Sequence, residues 1–322
     1  PLEVYCDGPT AGPNCTLSVV TVPDHTDVSC ADAAGNNSCP GPGQTYYGQD
    51  GNYSVNPEDF THFSTGDQRL AESVSGLTWT TSSFLADGFT DANAACSALS
   101  ASFFGGETDW RVPTLRELGM ILSKDLGGGT WPSQMENPQN SAWWTTTTDK
   151  GLLFLKKAIS GNWPWTELLP TAGGAGNFLG ARYTFCVSGP EMAGAWEVNA
   201  DGITVTHTTT GLDWHRFEST NNAMNWEEAL QYCEGSVRGG HDDWRLPTIR
   251  EYVSVFDLET ALGFMSDAFG TEPTVKMFTS TPTTVGPGST EVAWVHEFQG
   301  KLSHENVSTL TGGARCVRGP GS

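Results

Sequence analysis

The sequence predicts an α+β fold: two tandem modules, each with two short helices and short antiparallel strands, behind a disulfide-stapled N-terminal arm. Three observations predict it. First, the chain repeats itself in order. Ser75-Gly76-Leu77-Thr78-Trp79 answers to Thr210-Gly211-Leu212-Asp213-Trp214, and Asp109-Trp110-Arg111-Val112-Pro113-Thr114-Leu115-Arg116-Glu117 to Asp243-Trp244-Arg245-Leu246-Pro247-Thr248-Ile249-Arg250-Glu251. Cys96 answers to Cys233, and Cys186-Val187-Ser188-Gly189-Pro190 to Cys316-Val317-Arg318-Gly319-Pro320, with all four offsets between 130 and 137 residues. Second, helix-start signals sit among many turn residues: 38 Gly and 18 Pro are about a sixth of the 322 residues, which leaves little room for long helices. Third, eight cysteines fall two to each repeat and four before them. The division is residues 1–59 for the arm and lead-in, 60–190 for the first module and 191–322 for the second.

Each element has a local reason. Asn225 can cap a helix whose third residue, Glu228, reaches back to the cap's own amide. Trp226, Ala229, Leu230 and Cys233 then fall on one apolar stripe at helical spacing. Residues Thr90 to Leu99, rich in Ala, are the weaker equivalent. A second helix opens after Pro247, with Thr248 as cap and Glu251 at the third position. Pro113, Thr114 and Glu117 repeat the device, since proline suits a place just outside a helix start. Short strands are expected at Ile203 to Thr206, Val275 to Ser280, Val292 to Phe298 and Ala314 to Val317.

Composition excludes several function classes. A net charge of −21 makes bare nucleic acid an unfitting partner. Only 16% of residues are charged, too few for a charge-swollen disordered chain. Twelve Trp and fifteen Phe supply the apolar area a turn-rich fold needs. No apolar run approaches the roughly 18–20 residues of a membrane helix.

The cysteines show no CxxC pair, which argues against a zinc ribbon or thioredoxin-type site. Their even number, with six lysines, fits an exported protein in an oxidising compartment; the start on Pro1 reads as a processed, mature chain. Two cysteines per repeat make Cys96–Cys186 and Cys233–Cys316 the economical pairing. Each closes a long loop, worth roughly 4 kcal/mol in the chain-entropy model. For Cys6, Cys15, Cys30 and Cys39 the simplest pairing is Cys6–Cys15 with Cys30–Cys39, although four cysteines allow three pairings. Sequons stand at Asn14, Asn36, Asn52 and Asn306, as several would by chance in a chain this rich in Asn, Ser and Thr.

Candidate chemistry is sparse. Asp109, Trp110 and Arg111, with Asp243, Trp244 and Arg245, read as structural ties that orient the helix after them, and a sugar-binding triplet is the weaker alternative. Asp50-Gly51-Asn52 and Asn199-Ala200-Asp201-Gly202 are the places for calcium, which an acidic exported protein meets at millimolar level. Neither has the full acidic loop spacing, and Asp-Gly is more often a turn. His207, His215, His241, His296 and His304 read as surface or turn residues. No HExxH, no GxSxG and no cysteine–histidine signature is present, so no enzyme activity is expected. Gly151 to Gly180 has no clear counterpart in the second module; with Trp163-Pro164-Trp165 and Gly173-Gly174-Ala175-Gly176 it reads as an insertion or variable loop, its Trp residues filling core or, as the weaker alternative, forming a contact patch.

These residues bring a family into view. The Asp-Trp-Arg-x-Pro-Thr segments, Thr210-Gly211-Leu212-Asp213-Trp214, the Trp226-to-Cys233 helix, Trp143-Trp144-Thr145-Thr146 and Arg315-Cys316-Val317-Arg318-Gly319 resemble the Lcl C-terminal-domain family, named for a collagen-like bacterial surface protein. Val22-Pro23-Asp24, Cys30, Cys39 and Gly48-Gln49-Asp50-Gly51-Asn52-Tyr53 resemble the lead-in such proteins carry, so the likeness runs over roughly residues 21–320. The second module departs with Met277-Phe278-Thr279-Ser280 in place of the Trp pair, and the first lacks an arginine beside Cys186. The resemblance implies C-type-lectin-like modules, an extracellular or cell-surface location, and binding of a glycan or surface protein without catalysis. Trp143, Trp144, Trp163 and Trp165 are the ligand-binding candidates. The alternative is a self-assembling subunit of a filament, sheath or surface layer, whose partners are copies of itself.

Overall fold

Three of the four α-helices among the described residues begin where a side chain can hold the first free amides. Thr114, Asn225 and Thr248 each accept the amide of the third helical residue, and Glu117, Glu228 and Glu251 each return a carboxylate to the cap's amide. The computed structural model describes residues 20–24, 30–31, 38–53, 56–63, 67–121, 132, 134–136, 142–149, 152–157, 168–170, 182–192, 196–255, 265–270, 275–282, 292–297, 301–306 and 309–319.

The first repeat runs β1 (Phe60–His62), β2 (Arg69–Glu72), β3 (Leu77–Thr80), β4 (Phe84–Ala86), α1 (Phe89–Ala101), α2 (Leu115–Met120), β5 (Ala142–Asp149), β6 (Leu152–Lys157), β7 (Leu168–Pro170), β8 (Arg182–Thr184) and β9 (Val187–Ser188). The second runs β10 (Trp196–Val198), β11 (Thr204–His207), β12 (Leu212–His215), α3 (Trp226–Glu234), α4 (Ile249–Ser254), β13 (Met277–Pro282), β14 (Val292–Glu297), β15 (Lys301–Asn306) and β16 (Val317–Arg318). The class is α+β, with few, short helices and mostly antiparallel sheets.

Equivalent strands make equivalent sheets, in the orders β1-β2-β3-β9 and β10-β11-β12-β16. Trp79 lies opposite Val187 and Trp214 opposite Val317. Isolated bridges join Arg111 to Val187 and Arg245 to Val317. The Thr146 amide donates to the Pro113 carbonyl at 3.0 Å, as Ser280 does to Pro247 at 2.8 Å. A second sheet accompanies each: β4-β8-β5-β6-β7 in the first repeat and β13-β14-β15 in the second. The disulfides are Cys30–Cys39, Cys96–Cys186 and Cys233–Cys316; Cys6 and Cys15 lie outside the described residues.

Among the described residues, three buried clusters form the interior. One surrounds Cys96–Cys186 with Ala92, Trp110, Val112 and Trp144. Another surrounds Cys233–Cys316 with Trp226, Leu230, Trp244, Leu246 and Phe278. The largest belongs to both repeats: Leu77, Trp79, Leu118, Ile121 and Trp143 pack with Leu212, Trp214, Tyr252, Val253 and Met277. The equivalent helices α2 and α4 meet there, so burying one helix's apolar face requires the other.

The lead-in is part of this body. Its 48–53 segment is a polar latch: buried Gln49 bonds both backbone groups of Ala31 and the Tyr46 carbonyl at 2.8–2.9 Å, and Asn52 donates to Pro40 and accepts from Gly48 and Gln49. The latch closes on the second repeat. The Thr281 hydroxyl donates to Asp50 at 2.6 Å, the Tyr53 hydroxyl donates to Glu234, Arg250 pairs with Glu58 at 2.7 Å, and the Tyr46 and Trp226 rings lie 6.0 Å apart. The sequon asparagine Asn52 therefore has its amide committed inside the latch.

Strand ends differ modestly from expectation. β13 starts at Met277 and β16 holds only Val317–Arg318. The backbone before it is used elsewhere, with Ala314 and Cys316 accepting from Ser219 and His215.

Candidate functional site

The Asp-Trp-Arg segments are bound inward. Asp109 accepts from the Ser188 hydroxyl and from the Gly189 amide at 3.0 Å. Arg111 forks onto Glu117 at 2.7 and 2.8 Å, the carboxylate that also holds the Thr114 amide. Arg245 does the same to Glu251 at 2.5 and 2.6 Å, with Thr248 as third partner. One carboxylate thus closes a helix cap and neutralises an arginine. Asp243 is tied by Arg318, which also bridges to Asp213 at 2.6 Å. In the first repeat those positions are Ser188 and Thr78, so arginine and its second aspartate were exchanged together for two hydroxyls.

The histidine expectation is corrected. His207, His215 and His296 are buried, because an imidazole's flat face packs on aromatic rings. The ring centroids lie 4.4 Å from Trp196, 4.4 Å from Trp244 and 5.0 Å from Tyr252 respectively. His241 is exposed, and the His304 side chain lies outside the described residues. Burial first, and then the charges of Arg238 and Arg315, push the His215 pKa down from 6.5 to about 3. The unfolded chain therefore takes a proton near pH 6.5 that the folded chain refuses. Stability from this site is full above pH 6.5 and falls as pH drops toward 3, by up to about 1.4 kcal/mol per unit. His215→Gln is expected to flatten that slope in urea unfolding measured from pH 7 to pH 4.

Of the two calcium candidates, the Asp201 turn is held by protein groups. Asp201 accepts the Ile203 and Thr204 amides at 2.9 Å and the Thr204 hydroxyl at 2.8 Å, the hydrogen bonding of a plain Asx turn. Asp50 is buried against Thr281. Among the described residues no three His, Cys, Asp or Glu side chains are grouped to hold a metal ion. Trp143 is fully enclosed, stacked on Phe185 at 4.7 Å, and Trp144 is buried with its indole donating to the Ala86 carbonyl. Both are buried side chains of the core. Trp163 and Trp165 lie outside the described residues.

The solvent-facing chemistry is at a corner that sequence reading passed over. It is built where the chain enters β2 and where it leaves α1. Arg69 forks onto Asp67 at 2.7 and 2.9 Å and donates to the Gly105 carbonyl at 2.7 Å. Its guanidinium lies 4.2 Å from the Phe63 ring centre and 5.9 Å from that of Phe104. Beneath, the Trp110 indole donates to the Phe104 carbonyl at 2.9 Å. On this base Phe63 and Phe103 stand 47% and 66% exposed. Phe103 is also left-handed, at φ 54°, a conformation that costs a bulky residue about 1–3 kcal/mol.

Gly105 lets the corner close. At φ +69°, a Cβ here would stand 2.0 Å from the Arg69 Nη1. Gly105→Ala is therefore expected to cost about 1–3 kcal/mol in thermal or urea unfolding and to free Arg69 from the turn. The second repeat builds the same corner with Gly239 against Thr204, and with the Trp244 indole donating to Arg238. It displays Val198, Ile203 and Val237, at 44%, 40% and 72% exposure. Aligning Phe103-Phe104-Gly105-Gly106 with Val237-Arg238-Gly239-Gly240 was the signal that could have found it: the glycines stay while the side chains before them change.

No curated protein matches the chain. The segment spanning β11 to β16, residues 203–318, matches the family model of the Lcl C-terminal domain.

Proposed function

We propose that this is a non-enzymatic, exported bacterial surface protein that binds a glycan or protein partner through two C-type-lectin-like modules, the first a diverged copy of the matched domain. The shared pairings of Trp79 and Trp214, of Arg111 and Arg245, and of the two long-loop disulfides support the duplication. Three disulfides, and no helix among the described residues long and apolar enough to cross a membrane, support the exported location.

The observation that carries the binding reading is Phe103. A large apolar ring is kept two-thirds exposed in a backbone conformation that glycine or asparagine adopts more cheaply. Folding alone does not select it. The test is retention of the purified, unreduced protein on bacterial and host cell surfaces and matrix components, compared with the Phe63→Ala/Phe103→Asn double variant. Saturable binding that the variant lacks supports the reading, and no binding at micromolar concentration to any of them overturns it.

A self-assembling subunit is the second reading. Two unlike exposed apolar sets, Phe63 with Phe103 and Val198 with Val237, are what a head-to-tail contact between copies needs. Light scattering that stays monomeric up to high concentration removes it.

A further inference from the structure

We propose that the partner docking on the Phe63–Phe103 corner is a basic polypeptide segment carrying arginines, an inference that rests on the binding reading and narrows it. Two features select that chemistry. The rings supply exposed π faces, one of which already accepts a guanidinium: Arg69 lies over Phe63 at 4.2 Å. Such contacts are made more often by arginine, whose planar guanidinium stacks on a ring, than by lysine, and the ring attracts cations of either type.

The second feature is charge. Arg69 is the corner's own cation, and it is spent: Asp67 takes two of its N–H groups and the Gly105 carbonyl a third, and Glu107 bears on it from the same turn. Among the described residues Asp67 and Glu107 offset the charge of Arg69, so a sulfated or phosphorylated ligand meets no net counter-charge. A neutral sugar finds the rings but gains nothing from the charge of the carboxylates. A basic chain finds rings and carboxylates together, in the field of a protein of net charge −21, which steers cations inward.

The second repeat repeats the theme with aliphatic side chains. Val198 and Val237 are exposed beside the exposed Glu197, Asp201 and Asp242. Two such corners on one body give a bivalent surface, so a partner long enough to reach both gains avidity without any new contact.

The experiment titrates the whole, unreduced protein with octa-arginine, octa-lysine and maltohexaose at two salt concentrations, with Phe63→Ala/Phe103→Asn and Glu107→Gln as variants. The expected result is octa-arginine bound at least threefold more tightly than octa-lysine, and maltohexaose not bound. The aromatic double variant, whose net charge is unchanged, should lose tenfold or more of the octa-arginine affinity, and Glu107→Gln two- to fivefold. If the double variant binds octa-arginine as the parent does, attraction is to the overall charge alone and the inference fails. If maltohexaose binds and the double variant loses it, the partner is a sugar and the inference fails while the binding reading stands. If the parent binds neither peptide, yet cell-surface retention still depends on the two rings, the inference again fails alone. Loss of that retention as well removes both.

Discussion

Arg245→Ala is expected to lower the unfolding free energy by about 3–5 kcal/mol, because it strands a carboxylate whose partner charge is gone. The side chains of Arg245 and Glu251 are 2% and 5% exposed, their pairing is two-pronged, and Glu251 also closes the cap of α4. Burial works against the Arg245 charge, and Glu251, with Asp24 and Asp50 nearby, more than reverses it, so its pKa is raised. The equivalent Arg111 is 22% exposed at the side chain while Glu117 is fully enclosed. Water reaches that pair from one side, and Arg111→Ala should cost about 1–2 kcal/mol. Urea unfolding of the two variants checks both values; equal losses would show that burial does not set the difference.

Removing the lead-in is the second large effect. A chain beginning at residue 60 loses Glu58, which pairs with the buried Arg250, as well as the Asp50–Thr281 bond and the Tyr53–Glu234 bond. Removing one side of a buried ion pair costs about 3–5 kcal/mol, and a lost hydrogen bond to a charged group about 1.5–3 kcal/mol. Together these approach the whole stability of an ordinary domain. Residues 60–322 are therefore expected to be aggregated or molten, whereas residues 20–322 unfold cooperatively. Near-ultraviolet circular dichroism of the two chains decides it: equal, native-like spectra would mean that the latch decorates the second repeat without completing it.

Much of this fold is legible in the residues, for local reasons. Caps are read from Thr or Asn followed three places on by Glu, because the device is made within one helical turn. Cys96–Cys186 and Cys233–Cys316 follow from self-comparison, since a repeat that folds once folds the same way twice. What local pattern cannot show is contact between distant segments. The Thr281–Asp50 and Tyr53–Glu234 bonds join residues 231 and 181 positions apart, and no spacing rule carries the lead-in to the far repeat. The histidines were misjudged because polarity was weighed without their neighbours: the ring of His215 is as good a lid for Trp244 as a phenyl group. Trp143 and Trp144 drew attention as aromatic residues and are core ones. Phe103 drew none, because its distinguishing features, a left-handed backbone and exposure, are not written in any motif.

Stability and binding should therefore move in opposite directions at Phe103. Asparagine tolerates left-handed backbone, so Phe103→Asn is expected to leave the protein as stable as the parent or up to about 1 kcal/mol more stable. Its binding to any surface the parent recognises should fall at least tenfold. Unfolding and binding measured side by side on this one variant test the corner most directly. Unchanged or raised stability with lost binding is the predicted result. Full binding, or a stability loss as large as that of a buried aromatic, would contradict the assignment of Phe103 to a functional surface.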